Sequence, residues 1–205
     1  MKKTLFGLLL CLPILLQAQV FNGGILAGGL VSQVDGDTWQ GYNKFGFYGG
    51  GLVSLKISPH STLQMEMAYI QKGMRQNADT VTNMGTTYLT RLHYLEIPLL
   101  YQFTFAKRLQ FEIGPAMDVF LGSYDEVDGL EANTLVSYRP VSLCGIIGAS
   151  GFITPHLKAT FRFNYSLMST SSDDVTGQRK ILFEEGQYNN VLSLGLSWYF
   201  RQELE

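Results

Sequence analysis

Leu157-Lys158-Ala159-Thr160-Phe161-Arg162-Phe163-Asn164-Tyr165-Ser166-Leu167 decides how this chain folds. Leu157, Ala159, Phe161, Phe163, Tyr165 and Leu167 alternate without a break with Lys158, Thr160, Arg162, Asn164 and Ser166. A helix would scatter both sets around its circumference, whereas a strand sorts them onto two faces. The same period recurs outward from this stretch. Leu192, Leu194, Leu196, Trp198 and Phe200 oppose Ser193, Gly195 and Ser197. Leu109 to Leu121 sets Phe111, Ile113, Pro115, Met117 and Val119 against Gln110, Glu112, Gly114, Ala116 and Asp118. Thr62 to Lys72 sets Leu63, Met65, Met67 and Tyr69 against Gln64, Glu66 and Lys72. Four less regular segments complete a set of eight strands: Val20 to Ser32, Phe45 to Ile57, Tyr88 to Phe105 and Val136 to Ile153. Pro98 and Pro115 sit inside strands, where a missing N–H is expected to mark a bulge.

The connections alternate in length. Ser58 to Ser61, Ala106 to Arg108 and Thr154 to His156 are short turns; Gln33 to Lys44, Gly73 to Thr87, Gly122 to Leu135 and Ser169 to Gln187 are long loops. One end of the sheet is therefore trimmed and the other elaborated, as in outer-membrane barrels. Of 205 residues only 16% are charged while 46% are hydrophobic and 13% aromatic, a balance that disfavours disorder and an ordinary soluble enzyme.

Lys2 and Lys3 followed by apolar Leu5 to Leu16 and the small residue Ala18 read as a secretory signal peptide over 1–18, with the barrel domain over 19–205. The apolar core is too short for a stable spanning helix. Cys11 raises a lipoprotein alternative, but Leu10 before it is not small and apolar sequence continues past it. Removing the leader leaves 13 basic against 17 acidic residues, a formal charge of −4, and no basic patch for nucleic acid. Cys144 then stands alone, so no internal disulfide forms and a hydrogen-bonded sheet must hold the fold.

Period alone does not say which face is outside, since a soluble calyx shares it. The polar face carries Lys56, Glu66, Lys72, Glu96, Glu112, Asp118, Lys158 and Arg162, sparse for a water-facing exterior but a mixed-sign network for a narrow interior. The other face is continuous and aromatic, favourable only against lipid. Aromatic girdles are expected from Phe103, Phe105, Phe152, Trp198, Tyr199 and Phe200 at the short-turn end and from Tyr69, Tyr88 and Tyr165 at the loop end. The reading is all-β: an eight-stranded antiparallel up-and-down transmembrane β-barrel in a Gram-negative outer membrane, with both termini periplasmic. Eight strands leave an interior that side chains fill, which disfavours a general diffusion porin.

Gly23-Gly24-Ile25 to Gly29, Ala68-Tyr69-Ile70-Gln71-Lys72-Gly73 and Tyr94-Leu95-Glu96-Ile97-Pro98-Leu99-Leu100 give the chain a resemblance to the PorT-like outer-membrane β-barrel family over about Val20 to Phe200. The resemblance implies an envelope barrel and raises accessory participation in envelope assembly or protein secretion. The end Ser193 to Phe200, with Ser193, Gly195, Trp198 and Phe200, looks like the signal read by the barrel-assembly machinery, although Arg201 to Glu205 follow it. Expected partners are outer-membrane lipid, that machinery, and an envelope or surface protein.

Chemistry is thinly signalled. His93 and Glu96 are three apart and so face opposite ways, as do His93 and Thr90, and no Gly-x-Ser-x-Gly elbow occurs. His60 and His156 read as turn residues, and no cofactor is expected. Eleven of the 17 acids fall in the long loops: Asp35, Asp37, Asp79, Asp125, Glu126, Asp128, Glu131, Asp173, Asp174, Glu184 and Glu185. Solvation explains them; the sharper expectation is that Asp125, Glu126, Asp128 and Glu131 hold a divalent cation bridging to anionic lipid. The task itself divides among a structural or binding barrel, an assembly or secretion accessory, and a narrow channel or small-ligand carrier.

Overall fold

The computed structural model describes residues 21–36, 41–79, 84–132, 136–171, 179–181 and 184–201, so the leader over 1–18 lies outside the described residues. Eight strands form the wall: β1 Phe21–Asp35, β2 Lys44–Ser58, β3 Ser61–Gln76, β4 Tyr88–Ala106, β5 Leu109–Val127, β6 Val141–Phe152, β7 Leu157–Ser166 and β8 Tyr188–Tyr199. Each pairs antiparallel with its neighbours in sequence, and β8 returns to β1 from Gly24↔Tyr199 to Asp35↔Tyr188, closing the ring. Closure removes the edges of the wall, which lets a β-structure stand in lipid without orphaned backbone groups. The first and last strands meet at the short-turn end, where Phe200 N donates to Gly23 O.

The alternation of the sequence becomes the two sides of the wall. Phe111, Ile113, Phe161 and Leu194 are exposed on the outside, while Glu66, Lys72, Glu112, Asp118, Lys158 and Arg162 are buried in the lumen. A soluble calyx would invert this arrangement. Two aromatics assigned by sequence to the outer girdle turn inward instead: Phe152 and Tyr199 are buried and pack against each other with centroids 5.8 Å apart. The reason for Tyr199 is parity, since Trp198 and Phe200 on either side of it face out.

Several boundaries move. β3 continues past Lys72 to Gln76 and β5 past Leu121 to Val127, because the 19-residue β4 supplies partners for both. Beyond β5 the segment Leu130–Ala132 folds back along it, through a two-residue turn with Asp128 at φ 51° and Gly129 at φ 82°. Asp-Gly is the dipeptide that accepts two positive φ values in a tight hairpin. In the last long loop, Arg179–Ile181 pairs with Glu184–Gly186. β6 begins at Val141 rather than Val136, after Pro140.

The prolines do not make bulges. The β4–β5 register is the same at Pro98↔Ala116 and at Tyr101↔Ile113, so the ladder loses rungs there without shifting. The shifts fall elsewhere, at Leu121 between His93↔Gly122 and Tyr94↔Phe120, and at Phe105 between Thr104↔Gln110 and Ala106↔Leu109. Glycine matters most at Gly28 and Gly195, paired across β1 and β8: a methyl group on either would collide with the inward Tyr48 ring. The ring lies where two missing side chains leave room, which lets an aromatic line so narrow a barrel.

Candidate functional site

The middle of the lumen is filled by polar side chains, most of the charged ones paired. Nearest its middle, Arg162 on β7 lies between Glu66 on β3 and Glu112 on β5. Its Nη1 and Nη2 donate to the two Glu66 oxygens at 2.7 and 2.6 Å, and its Nε donates to Glu112 Oε1. Gln64 and Gln102 donate to the same two carboxylates, so the guanidinium fork and the amides satisfy them together. Toward the loop end, Lys72 Nζ donates to Glu96 Oε2 at 2.7 Å and to Asp118 Oδ2 at 2.6 Å; Asn164 also donates to Glu96. Toward the short turns, Lys158 Nζ reaches the amide oxygens of Gln64, Gln102 and Gln110 at 3.3 to 3.5 Å and lies 5.0 Å from the Tyr199 ring centroid.

Charges taken out of water are tolerable only where partners surround them. Here the partners come from strands far apart in sequence, so the network ties opposite sides of the barrel together. Among the charged residues expected in it, Glu66, Lys72, Glu96, Glu112, Asp118, Lys158 and Arg162 are all buried there. Lys56 is the exception. It lies on the inward-facing register of β2 but so near the strand's end that it is exposed in the open mouth. Sequence reasoning did not include Gln64, Gln102, Gln110, Asn164 and Tyr199; their position on the polar register was the available signal. Lys44 was also missed. It is buried at the loop-end rim, donating to Gln71 O at 2.8 Å.

The loop end is covered by its own connections. Tyr94, Phe120 and Tyr138 pack in series, the first pair edge-on and the second tilted, at 5.6 and 5.4 Å between centroids. Arg139 N donates to Thr170 O, joining two neighbouring connections, and Thr170 N donates to Gln187 O within the second. Burial, reinforced by the Asp125 carboxylate, pushes the Tyr138 hydroxyl well above the ordinary phenol range, so it stays neutral under this lid.

The remaining candidates separate. Asp125 and Glu126 are adjacent in β5, Glu126 lies across from Glu131 and 3.8 Å from Arg91, and Asp128 Oδ1 accepts from Thr87 N at 2.7 Å to brace the turn. Among the described residues no group of three or more His, Cys, Asp or Glu is placed to hold a metal ion. Asp35 is not a solvated loop acid but a buried acceptor for Gln33, Tyr165 and Asn190. Asp37, Asp173 and Asp174 lie outside the described residues, as do the side chains of Glu184 and Glu185.

His93 lies on the outer surface with Nδ1 2.5 Å from Tyr69 Oη, while Thr90 and Glu96 are buried inside. Cys144 is buried, its thiol donating to Asp118 Oδ2 at 2.9 Å. His156 donates from Nδ1 to Tyr199 O at 2.9 Å and stacks on Trp198, while His60 is exposed in its turn. Of the residues expected to carry the assembly signal, Trp198 and Phe200 are exposed to the lipid side, while Ser193 is buried toward the lumen and Gly195 lies on the same register of the strand.

A family profile described as "Outer membrane protein beta-barrel domain" matches residues 17–172. Among solved structures the chain is similar to Neisserial surface protein A, at 12% identity and a TM-score of 0.58, over 87% of this chain and 97% of that one. Ail, the attachment invasion locus protein of Yersinia pestis, also matches at 12% identity, with a TM-score of 0.48 over 87% of this chain and 98% of that one. No curated protein matches the chain. With the profile spanning well over half its length, on a closed antiparallel ring with apolar residues outside, the chain belongs to the outer membrane protein beta-barrel domain family and is a small outer-membrane β-barrel.

Proposed function

We propose that this barrel is a non-catalytic anchor whose loop end presents a binding surface to an envelope or surface protein. The observation that carries this reading is unequal wall height. At the loop end β3, β4 and β5 pair out to Gln76, Tyr88 and Val127, whereas β7 runs only 10 residues, so that side of the wall stands taller than the other. Its tip exposes Leu130 at 74% beside the Asp128-Gly129 turn. A strand rises about 3.3 Å per residue, so several extra pairs extend past a lipid-facing band about 25 Å tall. The leader over 1–18 is removed on export, and the end Ser193 to Phe200 guides insertion by the assembly machinery. The test places a photo-crosslinker at Leu130 in intact cells. A discrete envelope or surface protein captured there, and not from a crosslinker on Phe161 in the wall, supports the reading; no capture from Leu130 overturns it.

A finer PorT-like assignment, with an accessory role in assembly or secretion, draws on two of the three motifs that carry the resemblance, those around Lys72 and Glu96. Their charged members, Lys72 and Glu96, form an ion pair of 2.7 Å. Deleting the gene and comparing secreted and outer-membrane proteins tests that role: an unchanged pattern excludes it.

A further inference from the structure

The short-turn end is as open as the loop end is covered. A cavity of about 650 Å³ occupies it, walled by the end of β2, the β2–β3 turn and the β4–β5 turn. These three places bring in Lys56, His60, Lys107 and Arg108, all four exposed, and among the described residues no acidic side chain lines the cavity. Elsewhere in the barrel the arrangement is the reverse: Arg162 is set between Glu66 and Glu112, and Lys72 between Glu96 and Asp118. The floor is polar as well. Gln110 and Thr62 are buried there, with Gln110 Nε2 donating to Thr104 Oγ1 at 3.0 Å, while Phe152 gives one apolar wall.

A concave site of roughly 300–1,000 Å³ with a few convergent polar groups is the usual form of a small-ligand site. Cations gathered in a recess repel one another and raise the local concentration of anions. Lys107 and Arg108 come from one tight turn and Lys56 and His60 from another strand and turn. The charge therefore converges on the cavity from two separate connections instead of forming one solvated stripe. We propose that this periplasm-facing mouth is a binding site for a small organic anion carrying phosphate or carboxylate groups. The lysines and Arg108 hold the charged groups, and Gln110, Thr62 and Phe152 receive the body of the ligand. The anion is delivered either free in the periplasm or as the headgroup of an anionic lipid in the adjacent leaflet.

The test uses the folded protein in phosphatidylcholine nanodiscs, with pyrophosphate and citrate as probes in calorimetric titration. Wild type is expected to bind at least one probe saturably. Lys107→Gln combined with Arg108→Gln is expected to weaken that binding about tenfold, since two charge-assisted contacts in partly solvated surroundings are lost. Arg75→Gln, at the opposite end, is expected to leave it unchanged. Both substituted sets are exposed, and heat-dependent gel mobility checks that each barrel is folded. Repeating the titration in discs containing phosphatidylglycerol distinguishes the sources. Probe binding abolished there identifies a lipid headgroup as the occupant, and binding retained there identifies a soluble anion; each supports an anion site. Absence of saturable binding for both probes in phosphatidylcholine discs overturns the proposal, as does equal weakening by Arg75→Gln.

Discussion

Phe161 and Arg162 are adjacent in sequence and lie on opposite sides of the wall, one exposed to lipid and the other buried between two glutamates. Removing the charge with Arg162→Leu strands Glu66 and Glu112 without their cation. The expected loss is about 3–5 kcal/mol, the range for breaking a buried pair from one side. Phe161→Leu keeps an apolar group against lipid and is expected to cost less than about 1.5 kcal/mol, whereas Phe161→Arg is expected to cost about 2–4 kcal/mol if the site lies near the bilayer midplane. Urea unfolding in lipid vesicles ranks the three. If Phe161→Leu and Arg162→Leu were tolerated alike, the division into lipid face and paired lumen would be wrong.

Among the strands, β1, β2 and β8 are held in close register by what is missing from them. Gly195→Val is expected to drive a side chain into Tyr48, destabilising the wall by about 1–3 kcal/mol, the range for overpacking. In a Tyr48→Ala background the same change is expected to cost much less, because the clash has gone. A double-mutant cycle on the unfolding midpoint measures this coupling, and additive losses would exclude it. The hairpin tip behaves independently of the wall. Gly129→Val at φ 82° is expected to raise amide exchange over Tyr124 to Ala132 while leaving exchange in β7 unchanged. Global loss of protection would show instead that the tip is part of one cooperative unit. The Asp-Gly signal for this turn was present in the sequence. The reading as loop arose because Asp125 and Glu126 are polar, and polar residues are acceptable in a strand once it has left the lipid.

At the scale of the whole molecule, the packed lumen and covered loop end argue against a steady aqueous path. Wild type in planar bilayers is expected to show no sustained open-pore conductance. Combining Lys72→Ala with Arg162→Ala removes the two cations that tie opposite walls together and is expected to introduce flickering leak currents. Sustained conductance by the wild type would favour the narrow-channel reading over the anchor.

Strand number, the facing of the polar and apolar registers and the asymmetry of the ends were all legible in the chain, because period two and turn length are local properties. The alternation around Phe161 and Arg162 was enough to separate wall from lumen. Which lumen residues meet was not legible. Arg162 touches Glu66 across 96 positions and Glu112 across 50, separations set by closure of the ring and by register. The same holds for Lys56, whose parity is inward yet which opens into a mouth, since depth along the axis is fixed by where neighbouring strands end. Periodicity thus determined on which side of the wall a residue lies. Only the tertiary structure decided how deep it sits and which partner it meets, because a buried charge is stabilised by whatever the closed barrel brings within hydrogen-bonding distance of it.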